Sequence, residues 1–258
     1  MLVDDYGFVV VHVPHASVTI PDGYGGGILL SDKVLRREML RMTDHYCDEL
    51  YASREFKNMI AAPVSRFVCD VERFRDDKLE PRARWGQGLM YTRTSYGRRI
   101  RRYDEMLRDK ILREIYDPHH AKLTDAVDEA LRLYGKCLII DGHSFNSRMI
   151  VKPDNLLGLP DFDIGADEYH TPPDLRDALR DMARELGYKA KVNSPFGGAI
   201  TPMKHYRKNE NVLSIMIEVN RKLYMDEKTA AKTDGFNQTR NACRTLMMRA
   251  AEYVRARM

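Results

Sequence analysis

At 258 residues, with 43% apolar side chains, the chain is long enough to bury a sizeable core and far from the composition of a disordered segment. Its 42 Lys plus Arg against 38 Asp plus Glu leave a formal charge of +4, which suits an acidic small-molecule substrate and lacks the basic footprint of a nucleic-acid binder. No apolar run is long enough to span a bilayer, and "MLVDDYGFVVV" has acids where a signal peptide would be basic.

In chain order, "GFVVVHV" at residues 7–13 predicts a buried first strand, β-branched and bounded by Gly and Pro. The Gly-rich loop "PDGYGGGILL" follows. A helix is expected over residues 31–53, with Ser31 or Asp32 as its cap. "NMIAAPVSRFVCDVERF" reads as one or two short strands ending in charge, residues 75–84 as a polar loop, and "GLMYT" as another short strand. Two helices are expected at residues 96–116 and 119–134, separated by Asp117 and Pro118. The basic run "RRIRR" falls on the first of these, where Ile100, Tyr103, Leu107, Ile111 and Ile115 repeat at helical spacing, and reads as a solvated face.

Gly135 ends the second helix, and "CLIIDGHSFN" opens the next strand, with Gly142 expected to turn the chain at its end. "DFDIG" is a further short strand, and Pro172 and Pro173 open a helix that ends at Gly187. "YKAKVNSPF" and "VLSIMIEVN" read as strands, and residues 229–258 as a last helix. No repeat, low-complexity tract or linker interrupts the pattern. Strands alternating with helices predict one α/β domain over residues 1–258, built on a largely parallel sheet. In such sheets ligands bind outside the carboxyl ends of the strands.

Polar residues collect at those ends. His12 and His15 end the first strand, Asp141 and His143 the middle one, and Glu218 and Asn220 the last. Glu218 sits in the apolar run "LSIMIEVN", where a carboxylate is costly unless paired, metal-bound or protonated, and a raised pKa there would suit a general base. Asp44 falls in the helical row Leu40, Asp44, Cys47, Tyr51 and is expected to face inward, as a metal ligand or as the partner that orients a histidine. Two histidines and a carboxylate are the usual ligands of a hydrolytic zinc. "SRFVCDVER" places Arg66 and Arg73 around Asp70, as clamps for an acidic substrate or as structural partners of that acid. Gly197 and Gly198 in "SPFGGAI" would let the backbone approach a ligand closely, as would a plain tight turn. His120 and His205 are further candidates for substrate contact. Cys47, Cys69, Cys137 and Cys243 lie far apart without a CxxC pair and read as core residues of a reducing, cytoplasmic compartment.

The segments "VHVPHAS", "TDHYCDELY", "SRFVCDVER", "GLMYT", "DPHHAKL", "IIDGHSFN", "DFDIG", "SPFGGAI" and "IEVNRKLYMDE", in this order, resemble the N-formylglutamate amidohydrolase family over nearly the whole chain. That family is related to the zinc exopeptidases, so the resemblance implies a zinc-exopeptidase-like (phosphorylase/hydrolase-like) fold with a mixed, mostly parallel sheet flanked by helices. "HSF" is similar to the His-Ser-aromatic motif of zinc carboxypeptidases, "IEVNR" to their strand with the catalytic glutamate, and "DVER" to the Asp-Leu-Asn-Arg motif of aspartoacylases. Carried over, His143 becomes a ligand of Zn2+ or another divalent metal, Glu218 the general base, Arg73 the substrate-carboxylate clamp, and Arg66 the group that stabilises the oxyanion or binds substrate.

His15 is taken as the first ligand over His12, and Asp44 as the second, because Val18 stands where the carboxypeptidase pattern has Glu. A His12–His15 pair is the competing geometry. Glu72 departs from the Asn that the pattern often has, so either it points away from Arg73, or it neutralises that arginine, or the substrate is not N-formylglutamate itself. The implied reaction is hydrolysis of N-formyl-L-glutamate to formate and L-glutamate, a step of histidine breakdown. Hydrolysis of another N-acyl amino acid or small peptide is the runner-up. A metal-free binding protein on the same scaffold is the non-enzymatic alternative, against which the retention of His143 and Glu218 argues. No motif specifies an oligomeric state.

Overall fold

The computed structural model describes residues 6–148 and 158–258; the acids Asp4 and Asp5 of the N-terminal stretch lie outside the described residues. The chain forms two compact units, one made of Met1–Val13, Tyr46–Ile60 and Leu123–Met258, the other of Pro14–His45 and Ala61–Lys122.

The first unit holds a six-stranded sheet in the order β2-β1-β3-β6-β4-β5. Its strands are β1 (Val9–Val13), β2 (Asn58–Ala61), β3 (Cys137–Phe145), β4 (Phe162–Gly165), β5 (Ala190–Val192) and β6 (Val212–Asn220). β1, β3 and β6 pair in parallel, as do β4 and β5, whereas β4 runs antiparallel to β6. The α/β fold with a mixed, mostly parallel sheet flanked by helices is the one the family resemblance implies, and its parallel majority is what the strand–helix alternation predicts. Every residue of β1, β3 and β6 is buried, as expected of parallel strands covered on both faces.

Helices α2 (Cys47–Leu50), α5 (Pro173–Glu185) and α6 (Phe236–Arg255) pack on this sheet or on one another. α4 (Asp117–Tyr134) lays Leu123, Val127 and Ala130 against Val10, Cys137, Ile139 and Val212. Those four strand residues alternate with neighbours that point to the opposite face, so α4 covers the amino-terminal half of one face. In α5, Leu175, Leu179 and Ala183 recur every fourth residue and are buried, Pro173 opens the first turn, and Gly187, at φ 88°, follows its end.

The second unit is poor in regular structure. It contains α1 (Asp32–Met42), α3 (Glu105–Ile111), a single 3-10 turn at Ala83–Trp85 and the start of α4. Two apolar clusters hold it together, one centred on Val68, Cys69, Val71, Leu89 and Ile111, the other on Leu30, Phe67, Tyr91 and Ile100.

Several sequence expectations fail here for identifiable reasons. The helix expected at residues 31–53 breaks after Met42: Thr43 turns extended and Tyr46 adopts a left-handed φ of 67°. The Asp44 N–H leaves the helical ladder and donates to the His15 carbonyl at 2.9 Å, so Asp44 is buried from a turn rather than from a helix face. "SRFVCDVER" and "GLMYT" form turns and isolated bridges, not strands. "RRIRR" precedes α3 instead of lying on it. Arg98, Arg99 and Arg102 are exposed, but Arg101 is buried and donates to the carbonyls of Tyr24 and Phe67.

Asp117 and Pro118 do not separate two helices. A π turn at Leu112–Tyr116 joins α3 to α4 without a break, and Pro118, which has no N–H to give to the preceding turn, follows directly on that irregular stretch. α6 begins only at Phe236. Gly142 does not turn the chain; it lies inside β3, where a Cβ would stand 2.5 Å from the Tyr51 ring. That ring occupies the space a side chain would need, and its hydroxyl lies 2.9 Å and 2.6 Å from the carbonyls of His143 and Ile217.

Candidate active site

In the first unit the sheet register decides which side chains meet. His12 pairs with Asp141 across β1 and β3, and His143 pairs with Glu218 across β3 and β6. Register partners share a face, and so do residues two apart, so His12, Asp141, His143 and Glu218 all lie on the α4-covered face, beyond the apolar half. The Asp141 Oδ1 accepts from His12 Nδ1 at 2.8 Å and from His143 Nε2 at 3.1 Å. Its Oδ2 accepts the backbone N–H of Ile200 at 3.1 Å. Burial alone would raise this carboxyl, but His143 and His12 outweigh it and hold the group well below the usual carboxylate range. Carboxylate–imidazole pairs of this kind fix the tautomer of metal-binding histidines.

In the second unit one acid does the organising. Asp70, fully buried, accepts from His15 Nε2 at 2.9 Å, Arg66 Nη2 at 2.8 Å, the Tyr91 hydroxyl at 2.5 Å and the Glu72 N–H at 3.1 Å, with Arg73 Nη2 at 3.3 Å. Burial pushes its carboxyl up, and Arg73, His15 and Arg66 more than reverse that, so it is held well below the usual range. His15 repeats the pattern of His143: Nε2 is held by an acid, and Nδ1 lies 3.7 Å from the Asp44 carboxylate. Two ligands of one tetrahedral zinc stand about 3.3 Å apart, so this donor pair is close to the spacing a metal would need.

The other expected residues fall into distinct places. Arg66 is anchored on three sides, by Tyr91, the Met42 carbonyl and Asp70. Arg73 also leans on Asp70, but its Nε is buried and, among the described residues, has no hydrogen-bond partner. The Glu72 carboxylate lies 3.8 Å from His15 Nε2. His120 donates Nε2–H to the Val71 carbonyl at 2.8 Å and packs on Tyr116, which makes it a peg for the turn that carries Glu72 and Arg73. His205 is tied to Asp128 of α4 at 2.8 Å, beside Lys204, an arrangement that holds a loop. Gly198 has φ 87°, which favours glycine, and Gly197 is exposed with the Asn193 side chain against it.

The sequence reading missed Asp70 as a hub, Tyr91 as its partner, and Asp163. Asp163 is fully buried in β4 and pairs in register with Glu218. The signal for Asp163 was present: a lone acid in the short apolar strand "DFDIG" is the same kind of anomaly that singled out Glu218.

A sequence profile of the N-formylglutamate amidohydrolase family matches residues 8–225. An N-formylglutamate deformylase of Pseudomonas putida is 29% identical over 232 residues, 85% of this chain and 82% of that protein. The crystal structure of an N-formylglutamate amidohydrolase from Ralstonia eutropha JMP134 superposes with a TM-score of 0.83 at 26% identity, covering 97% of this chain and 95% of that one. A gene product of Agrobacterium tumefaciens shares the fold at 20% identity and a TM-score of 0.66, over 96% and 92% of the two chains. Matched along most of its length, the chain belongs to the N-formylglutamate amidohydrolase family.

Proposed function

We propose that this chain hydrolyses the formamide bond of N-formyl-L-glutamate to formate and L-glutamate, a reaction of histidine breakdown. The observation that carries the reading is the register pair of His143 and Glu218 at the carboxyl end of the sheet, with Asp141 fixing the imidazole. The names of the Pseudomonas and Ralstonia relatives support the substrate. The family match runs through both units, which supports one catalytic domain over residues 1–258.

His15, Asp44 and His143 would hold a divalent ion, Zn2+ as first choice. The donor chemistry fits, because each histidine has Nε2 on a carboxylate, the arrangement that orients a metal-binding imidazole. When bound, such an ion lowers the pKa of water and polarises a carbonyl. Glu218 takes a proton from the attacking water on its carboxylate oxygen as the water oxygen bonds to the formyl carbon. The carbon–nitrogen bond then breaks and Glu218 passes that proton to the departing amine; the second proton of the water also ends on the amine, so that formate leaves as the anion and L-glutamate as the ammonium form. Arg66 is assigned to the charge that builds on the formyl oxygen. Arg73, with its unpaired Nε, is assigned to a substrate carboxylate.

The four cysteines are buried and form no disulfide among the described residues, which supports a reducing compartment such as the cytoplasm. No helix among the described residues is long and apolar enough to cross a membrane. Glu72 beside Arg73 is the feature that favours a different N-acyl amino acid as substrate. The test is formate or acetate release from a panel of N-formyl and N-acetyl amino acids, with metal content measured on the same protein. N-formyl-L-glutamate should be turned over fastest. No acid release from any of them, with or without added divalent metal, would overturn the enzymatic reading.

A further inference from the structure

Residues 193–200 cross the face of the sheet that bears Glu218 and His143, and acids fix them at both ends. At one end Asp163 receives two backbone N–H groups: Ser194 donates to Oδ1 at 2.9 Å and Phe196 to Oδ2 at 2.8 Å. Asp163 is the register partner of Glu218, so its carboxyl stands beside the Glu218 side chain on the same face. In between, the loop lies flat on the sheet. A Cβ on Gly165 would stand 2.5 Å from the Gly198 carbonyl oxygen, and the Phe196 ring lies 6.1 Å from that of Phe145, two residues beyond His143. At the other end the Ile200 N–H donates to Asp141, the acid that orients His143, and Thr201 donates to Ser214 of β6 at 3.2 Å.

Asp163 is an odd residue for a purely structural task. It is fully buried, and the hydrogen bonds to its carboxylate come from the backbone N–H groups of Ser194 and Phe196. Burial pushes its carboxyl up to about 6, against the pull of the two N–H groups and of Lys191, so its ionisation works against folding at neutral pH. A buried charge kept at such a cost is a mark of functional sites.

We propose that Asp163 is a positioning residue: it holds residues 193–200 across the face that carries Glu218 and His143, so that this segment walls the space in which the acyl group is attacked. The inference rests on the reading of Glu218 as general base. A general base acts within hydrogen-bond reach of its water, so the reacting carbon sits close to Glu218 and therefore close to this wall. A wall fixed at both ends by carboxylates has little slack, which suits the smallest acyl groups. Formyl fits, and each added methyl is resisted.

The test compares Asp163→Ala, Asp163→Asn and Glu218→Gln in the full chain, with N-formyl- and N-acetyl-L-glutamate as substrates. Asp163→Ala should lower kcat for the formyl substrate by about 10²-fold, the usual loss for a small misplacement, with KM nearly unchanged. The preference for formyl over acetyl should narrow by about tenfold. Asp163→Asn, which keeps one acceptor oxygen, should recover part of both losses. It also covers the case in which Asp163→Ala does not fold. Wild-type kcat and acyl preference in Asp163→Asn and Asp163→Ala, or losses that only follow the folded fraction, would overturn the inference. Glu218→Gln separates the two levels of the reading. If it abolishes turnover while the Asp163 variants behave as wild type, the wall alone fails; if it turns over normally, the base and the wall fall together.

Discussion

The two units assemble acid–histidine sets of similar chemistry by different means. In the first, Asp141 joins His12 and His143 because strand register puts all three on one face, and the backbone ladder would hold those positions without the acid. In the second, Asp70 joins His15, Arg66, Arg73 and Tyr91 across turns that have no ladder, so the acid itself is the framework. A carboxylate on a sheet tunes groups that are already in place; a carboxylate among turns has to place them.

Replacing each acid is the sharpest way to break that contrast. Asp70→Ala removes the acceptor that two largely buried arginines, His15 and Tyr91 share and should cost about 3–5 kcal/mol in denaturant unfolding. Asp141→Ala leaves two imidazoles and one N–H, with no guanidinium among them, and should cost about 1–3 kcal/mol. Equal losses would mean that the sheet does not support its own site.

A second measurement concerns Asp163 on the sheet. Its folded value of about 6 lies above the roughly 3.9 of an unfolded aspartate. The folded chain thus holds this proton more tightly, and the group's stabilisation is fully present below about pH 4 and is lost as pH rises through 6. Glu218 on β6 and Lys191 on β5 are its charged register partners. Relative to wild type, Asp163→Asn should gain about 3 kcal/mol of stability between pH 4 and pH 8, measured by urea unfolding at each pH. A difference that does not change with pH would show an ordinary carboxyl.

Arg73→Ala tests whether the turn-borne set also serves substrate. It should raise KM for acidic substrates by about tenfold or more while leaving kcat nearly unchanged, as loss of a charge-assisted clamp does. An unchanged preference for acidic over neutral N-formyl amino acids would return Arg73 to a structural role. The smallest effect is expected for Gly142→Ala, which forces a methyl against the Tyr51 ring inside β3 and should cost about 1–2 kcal/mol. A neutral result in thermal unfolding would show that the ring can retreat.

Much of the first unit was legible from the chain alone. β-branched runs and period-two spacing mark β1, β3 and β6, and a Glu, an Asp and two His interrupting those runs mark the edge where they act. The second unit was read less well, and Asp44 shows why. Helical spacing correctly turned it inward, yet it is buried from a turn, because a backbone hydrogen bond to His15 replaced the helical one. "SRFVCDVER" likewise has the composition of a strand, yet it folds into turns that gather Arg66 and Arg73 on Asp70.

What the sequence determined by itself is local: which segments are buried, which are helical, and which polar residues are too costly to bury without a task. Tertiary structure decided the pairings, from His143 beside Glu218 to Asp163 beside both Glu218 and the loop at residues 193–200. Period and propensity act over a few residues, whereas strand order and the capture of backbone N–H groups by a distant carboxylate join positions that no local spacing connects.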